Sequence, residues 1–146
     1  MCRYCSYLFL FSYLEHRHDP IPRPDFESLI LEPLYQSEDQ LTLGSIHSHR
    51  LSIFFILMAT GLLTDHQPAV RTRSEQYHAL ARAAFSVDSI VREATCDSVQ
   101  AVFMMIYYGY LVDRSSTEIR WILSGLAARL AQMVSLFWYE RVSSVT

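Results

Sequence analysis

Two short motifs have the residue types and spacing of a metal site. Cys2-Arg-Tyr-Cys5 has the C-x-x-C spacing that can supply two zinc ligands, and His16 and His18 follow nearby. His47 and His49 form a second pair that could chelate a metal ion. A structural zinc site needs four ligands, and no second C-x-x-C is present. We therefore expect two incidental thiols, a cap or surface role for His49, and no metal site.

The sequence contains no arrangement of residues that is typical of an active site. No serine or cysteine lies in a nucleophile elbow, no glycine-rich loop could hold a phosphate, and no carboxylate pair has convincing spacing for acid–base catalysis. Tyr107, Tyr108, Tyr110 and Trp121 could line a ligand pocket. At helical spacing such residues more often belong to a core, and we expect them there. We expect no enzymatic activity, no cofactor and no catalytic residue in this chain.

Composition predicts a single domain without a nucleic-acid footprint. The chain has 146 residues, of which 51% are hydrophobic and 18% charged, and its formal net charge is -3. Three cysteines form no disulfide framework, and their odd number suits a reducing compartment. The apolar runs 4–14 and 53–63 are shorter than the roughly 20 residues that a membrane span needs. We expect no membrane partner.

The first predicted helix is short and follows a proline-rich stretch. Residues 19–24 contain three prolines and cannot lie inside a helix. Pro24 suits the first turn of a helix over residues 25–31, and Pro33 should end it early. Residues 36–48 are polar and irregular.

Two longer helices should form the centre of the core. The first runs from about residue 48 or 49 to 63 and is apolar nearly all round. The second begins near Ser74, which is a good N-cap. Its apolar face is predicted to contain Tyr77, Leu80, Ala81, Ala84 and Phe85, with His78, Arg82 and Ser86 facing away.

Capping residues predict where two further helices begin. The third starts at Thr95 or Asp97, where Asp97 and Gln100 resemble a capping box. The fourth starts at Ser115, which could form another capping box with Glu118, and it runs to about residue 136. The third helix is predicted to bury a face formed by Val99, Val102, Phe103, Ile106, Tyr107 and Tyr110. Small residues of the fourth helix should let a neighbouring helix approach closely: Gly125, Ala127, Ala128 and Ala131.

The connections between the four longer helices are short, so neighbouring helices should run antiparallel. No alternation of apolar and polar residues predicts a strand. We therefore predict an all-α fold, namely an antiparallel helical bundle or array of about four main helices plus a short N-terminal helix.

Several helical phrases resemble the fungal-specific transcription factor domain, the helical region that follows the binuclear zinc cluster in many fungal gene regulators. The family's entry segment is resembled by Pro22-Arg-Pro-Asp-Phe-Glu27 together with Leu31-Glu-Pro-Leu-Tyr35. The family's first long helix is resembled by residues His49 to Leu63, including the Arg-Leu pair and the late glycine. The remaining phrases are Tyr77-His-Ala-Leu-Ala-Arg-Ala-Ala84, Thr95 with Ser98-Val-Gln-Ala101, and Gly125-Leu-Ala-Ala-Arg-Leu-Ala-Gln132.

The resemblance implies a partial regulatory domain over residues 21–132. Residues 1–20 form an unassigned N-terminal segment outside it, and residues 133–146 form a tail unlike the family. The family implies a nuclear regulator of transcription that contacts protein partners or other parts of the full-length regulator. Zinc and DNA would be bound by a separate six-cysteine cluster, and this chain lacks that segment. An alternative is a free-standing helical protein-interaction or ligand-sensing module without DNA binding.

The tail suggests a hypothesis about the gene. Val134-Ser135 can be encoded by a consensus splice-donor hexamer, so residues after Gln132 would be translated intron. A chain shortened in this way should expose apolar helix faces and self-associate.

Overall fold

The computed structural model describes residues 21–35, 46–64, 68–90, 92 and 94–143, with the side chains of 68 and 137–143 left aside. All regular structure in these ranges is helical, and no strand occurs in them. The all-α prediction is confirmed.

The first helical segment continues past Pro33 instead of ending there. It consists of α1 (Arg23–Phe26), a π-helical turn (Glu27–Leu31) and α2 (Glu32–Tyr35). The backbone N–H of Glu32 donates to the carbonyl of Glu27, five residues earlier. A π turn widens the helix locally and alters which carbonyl faces the proline ring that would clash in a regular α-helix. The prediction that Pro33 ends the helix is therefore wrong.

Helix α3 (Ser48–Leu62) lies in the centre of the core, as predicted. Ile53 and Ile56 are among its buried side chains. His47 is the N-cap, and its Nδ1 accepts a hydrogen bond from the backbone N–H of His49 at 3.3 Å. His49 itself is only 1% exposed, so its predicted place at the cap or surface is wrong.

Helix α4 (Pro68–Phe85) begins earlier than the predicted cap at Ser74. Proline is tolerated at the first helical position, where no intrahelical N–H bond is lost. Ser74 therefore lies within the helix, where its side chain is buried. Of the predicted apolar face, Ala81 and Ala84 are buried but Leu80 is exposed.

Two buried serines join α3 to α4 and show that the two helices are antiparallel. The Ser52 hydroxyl of α3 donates to the carbonyl of Ala81 at 2.8 Å. The Ser74 hydroxyl of α4 donates to the carbonyl of Ala59, also at 2.8 Å. A step of seven residues forward along α3, from 52 to 59, matches a step of seven residues backward along α4, from 81 to 74.

Helix α5 (Cys96–Val112) begins at one of its two predicted starts, with Thr95 as N-cap. The capping box, however, pairs Thr95 with Ser98 rather than Asp97 with Gln100. Asp97 instead accepts a hydrogen bond from the Arg50 guanidinium at 2.9 Å, which ties α5 to α3.

The buried face of α5 is rotated from the predicted one. Ala101, Met104, Met105 and Tyr108 are buried at i, i+3, i+4 and i+7, and Val102 lies beside them. Phe103 and Tyr110, predicted to be buried, are exposed. The helix is apolar nearly all round, so its composition does not distinguish the two faces.

Helix α6 (Glu118–Ser143) starts after its predicted cap and extends past residue 136. Ser115 bonds to Asp113 instead, through its backbone N–H at 2.9 Å and its hydroxyl at 2.6 Å. Gly125 has no heavy atom within 4 Å of where a Cβ would lie. Within the described residues, the predicted close approach of another helix is therefore not made at Gly125, whereas Ala127 is half-buried.

The four longer helices contact one another in the order α4, α3, α5, α6. α3 packs most extensively on α4 and also on α5, while α5 also packs on α6. The buried core is correspondingly centred on α3, with side chains from the first segment added at Phe26, Ile30 and Leu34. None of the helices described is both long and apolar enough to cross a membrane.

Candidate functional site

A polar cavity lies beside the N-terminus of α3, where the chain leaves α4. Its volume is about 300 Å³, and it is lined by His47, His49, Val87, Asp88, Ser89 and Arg92. The two histidines are brought here by the first turn of α3. The other lining residues belong to the segment that follows Phe85, the last residue of α4.

His47 faces Asp88 across this cavity. The Nε2 atom of His47 is 3.9 Å from Oδ2 of Asp88. Because Nδ1 of His47 accepts the capping bond, the proton of the neutral ring belongs on Nε2 and points towards the carboxylate. The Ser48 hydroxyl favours the charged form of Asp88 and lowers the pKa of this carboxyl group, and His47 acts in the same direction.

His49 is buried between two rings. Its ring centroid lies 4.8 Å from that of His47 and 5.1 Å from that of Phe85. Burial lowers the pKa of His49, and neighbouring His47 lowers it further against the opposing influence of Asp88 and Asp97. Neither ring nitrogen makes a well-formed hydrogen bond to a described residue. His49 is therefore uncharged at neutral pH and acts as an aromatic core residue.

The described residues contain no group of three or more histidine, cysteine, aspartate or glutamate side chains that could hold a metal ion. Cys96 is a free, exposed cysteine. A six-cysteine zinc cluster of the kind that the resemblance implies does not fit this chain, which has three cysteines in all. The candidate ligands Cys2, Cys5, His16 and His18 lie outside the described residues.

The aromatic residues that were expected in the core divide into two groups. Tyr108 is buried and stacks on His78 of α4, with ring centroids 4.4 Å apart. His78 was expected to face away from the core, and that prediction is wrong. Tyr107 packs partly against the core. Tyr110 and Trp121 are exposed, Trp121 by 79%, so the prediction of a core position is wrong for these two.

Exposed apolar side chains are concentrated on α5 and α6. They include Phe103, Tyr110 and Val112 on α5, and Ile119, Trp121, Ile122 and Leu136 on α6. Exposed apolar surface of this kind marks interaction sites on soluble proteins. The sequence predicts exposed apolar helix faces only in general terms, and it wrongly places Phe103, Tyr110 and Trp121 in the core. The repeat of apolar residues along α6 was a signal that could have shown a second face.

Comparison with known proteins relates the chain to one regulator. The chain is 31% identical over 120 residues to an uncharacterized transcriptional regulatory protein of Schizosaccharomyces pombe. The matched region is 80% of this chain and 15% of that protein, so the chain spans less than a sixth of its relative. No protein-family model matches the chain. No solved structure matches it either.

Proposed function

We propose that this chain is a regulatory and interaction region of a fungal transcription factor. The observation that carries the proposal is the similarity to a transcriptional regulatory protein across four-fifths of the chain. The order of helical phrases that resembles the fungal-specific transcription factor domain adds support. In this proposal the region acts in the nucleus, DNA is bound by a zinc cluster outside this chain, and the role is not catalytic.

The proposed means of regulation is contact with protein. The exposed side chains of Phe103, Tyr110 and Trp121 supply surface for this contact, because burying apolar area drives most protein association. A net charge of -3 favours protein over DNA as the direct partner.

A reporter experiment in yeast tests the regulatory role. The chain is fused to a heterologous DNA-binding domain with an activation domain, and reporter output is compared with the same fusion lacking the chain. We expect a several-fold change in output. The matched control carries Ile56→Asp, which places a charge at a fully buried position of α3 and should remove the effect. Equal output from equal amounts of the fusions with and without the chain would contradict the proposal.

A ligand-sensing module without DNA binding is the second candidate, and the cavity beside His47 is the observation that favours it. Sequencing the transcript across both ends separates the two. An in-frame, cysteine-rich and basic segment before Met1 supports the transcription factor, whereas a message without one supports the free-standing module. The same experiment tests the splice-donor hypothesis, which fails if the mature message retains in frame the bases that follow Gln132.

A further inference from the structure

Helix α6 carries a second, largely apolar stripe beside the side that packs on α5. The stripe consists, in steps of 3, 4, 3, 4 and 3 residues, of Ile119, Ile122, Leu126, Arg129, Met133 and Leu136, and we call it the α6 seam. Ile119 and Ile122 are each 64% exposed and Leu136 is 65% exposed. Alternating steps of three and four are the spacing of the a and d positions of a coiled coil, which keeps a stripe on one side of a helix.

The seam lies beside the side of α6 that packs on α5, and the two sides share Leu126 and Met133, which are half-buried. Among the described side chains of α6, Leu130 is the most deeply buried, and Leu123 and Ala127 beside it are half-buried. Successive residues of an α-helix are turned by about 100°, so the centre of this inner side and the seam point in different directions. Contact with α5 therefore leaves most of the seam accessible, above all Ile119, Ile122 and Leu136.

The seam has the same spacing in both directions about a midpoint between Ala127 and Ala128. If a second copy of α6 is laid antiparallel on the first about that midpoint, each position meets a seam position. The three kinds of opposed pair are Ile119 with Leu136, Ile122 with Met133, and Leu126 with Arg129. Such self-complementarity is what a two-fold symmetric interface requires.

The single charged residue of the seam favours the antiparallel direction. In a parallel pair in register, Arg129 would oppose its own copy, and two like charges would meet in the contact. In the antiparallel pair Arg129 opposes Leu126, so its aliphatic stem can pack while the guanidinium reaches solvent. Gly125, at the edge of the seam, presents no side chain and has open space around it.

The area of the seam suits a second copy rather than a large partner. An exposed aliphatic side chain removes on the order of 100 Å² from water when it is buried. Six positions, two of them already half-buried, would remove about 500 Å² per copy and about 1,000 Å² in total, which is near the lower limit of specific interfaces. The contact should therefore depend on protein concentration.

We propose that the α6 seam is a dimer interface, occupied by the seam of a second copy of this chain in the antiparallel orientation. This proposal does not rest on the transcriptional role, because its test is the oligomeric state of the isolated chain and uses no reporter.

Analytical ultracentrifugation over a concentration series tests the occupant. The wild-type chain should form a dimer that dissociates on dilution. Ile122→Glu should weaken the dimer at least ten-fold, while Ser124→Glu, on the opposite side of α6, should leave it unchanged. Arg129→Leu should strengthen the dimer several-fold, which loss of folding cannot imitate. Far-UV circular dichroism should be the same for all four proteins.

Three outcomes overturn the proposal. A wild-type chain that stays monomeric at every concentration would mean that another partner or segment covers the seam. Dimerisation of Ile122→Glu as strong as that of the wild type would place the interface elsewhere. Higher aggregates in place of a dimer would contradict two-fold pairing.

Disulfide crosslinking tests the orientation in a background with Cys2, Cys5 and Cys96 replaced by serine. Ile119→Cys and Leu136→Cys are oxidised separately and then as a mixture. Copies of residue 119 would lie about 26 Å apart in the antiparallel dimer, beyond the reach of a disulfide. Only the mixture should therefore crosslink efficiently, whereas crosslinking of each variant with itself would show a parallel pair.

Discussion

At the scale of single residues, buried hydroxyl groups form hydrogen bonds between the helices of this fold. The Ser74 hydroxyl donates to the carbonyl of Ala59 and lies 3.1 Å from the hydroxyl of Tyr108. Since the one proton of Ser74 goes to Ala59, the Tyr108 hydroxyl donates to Ser74. One buried side chain thereby contacts α3 and α5 from its place on α4.

We expect Ser74→Ala to lower the free energy of unfolding by about 1–3 kcal/mol, because the Tyr108 hydroxyl would remain buried without its acceptor. Ser86→Ala is the matched control, since it removes an exposed hydroxyl that bonds to a carbonyl three residues earlier. Its effect should stay within about 0.5 kcal/mol. Urea unfolding measures both. Tyr108→Phe together with Ser74→Ala should cost less than the sum of the single changes, and strict additivity would count against the bond.

His49 should make stability depend on pH. Its pKa is lowered in the folded state by burial, so the unfolded chain binds more protons once the pH falls below the unfolded value of about 6.5. The contribution of His49 is therefore complete above that value and is lost as the pH falls towards the folded pKa. His78, also lowered by burial, acts in the same direction.

We expect unfolding in urea to become easier from pH 7.5 to 5.5, and His49→Phe to reduce that slope while leaving stability at pH 7.5 nearly unchanged. The apolar ring suits the site because it stacks beside Phe85 and leaves no buried nitrogen without a partner. His78→Phe in the same background should reduce the remaining slope. A slope that is equal in the wild type and His49→Phe would show that His49 does not titrate differently on unfolding. The pKa of Asp88 is also lowered, but this carboxyl group changes stability only below about pH 3.8, outside the range from pH 7.5 to 5.5.

At the scale of elements, the helices differ in how much of their surface is covered. α3 is buried by α4, α5 and the first helical segment. Helix α6 packs on α5 alone among the extensive contacts, and Leu130 is the one fully buried residue among its described side chains. Local unfolding is easiest where few apolar contacts must be broken.

We expect amide hydrogen exchange to be slowest in α3 and fastest, among the four longer helices, in α6. Mass spectrometry of proteolytic peptides measures both helices in one sample. The measurement uses Ile122→Glu, so that pairing of α6 with a second copy does not protect it. Equal protection of α6 and α3 in that variant would mean that α6 is held by further contacts in addition to its packing on α5.

At the scale of the whole molecule, the fold class and most helices were predictable, whereas the orientation of their faces was not. A continuous apolar run located α3, and Thr95 marked the start of α5 because a side-chain cap is a local feature. Which side of α5 and of α6 is buried depends on the neighbouring helices against which each one packs. A helix that is apolar on more than one side, as at Phe103 and Trp121, does not specify its buried side.

The candidate site was harder to predict than the fold. His47 and His49 were noticed as a pair, but Asp88 comes from a distant part of the chain and is brought to them by the antiparallel packing of α4 on α3. Pro68 is the first residue of α4, and because proline both ends and begins helices, only the packed structure decides between these uses.

The order of contacts, α4 to α3 to α5 to α6, has a mechanical meaning. The layers are connected in series, so a load applied to α6 reaches α4 mainly after it has passed through α5 and α3. Two polar contacts also join these helices. Arg50 of α3 pairs with Asp97 of α5, and the Ser74 hydroxyl of α4 lies within hydrogen-bond distance of Tyr108 of α5. A partner that tilts α6 would therefore displace α5 first, and the packing of α5 on α3, together with the Arg50–Asp97 pair, connects that movement to the helix that bears His47.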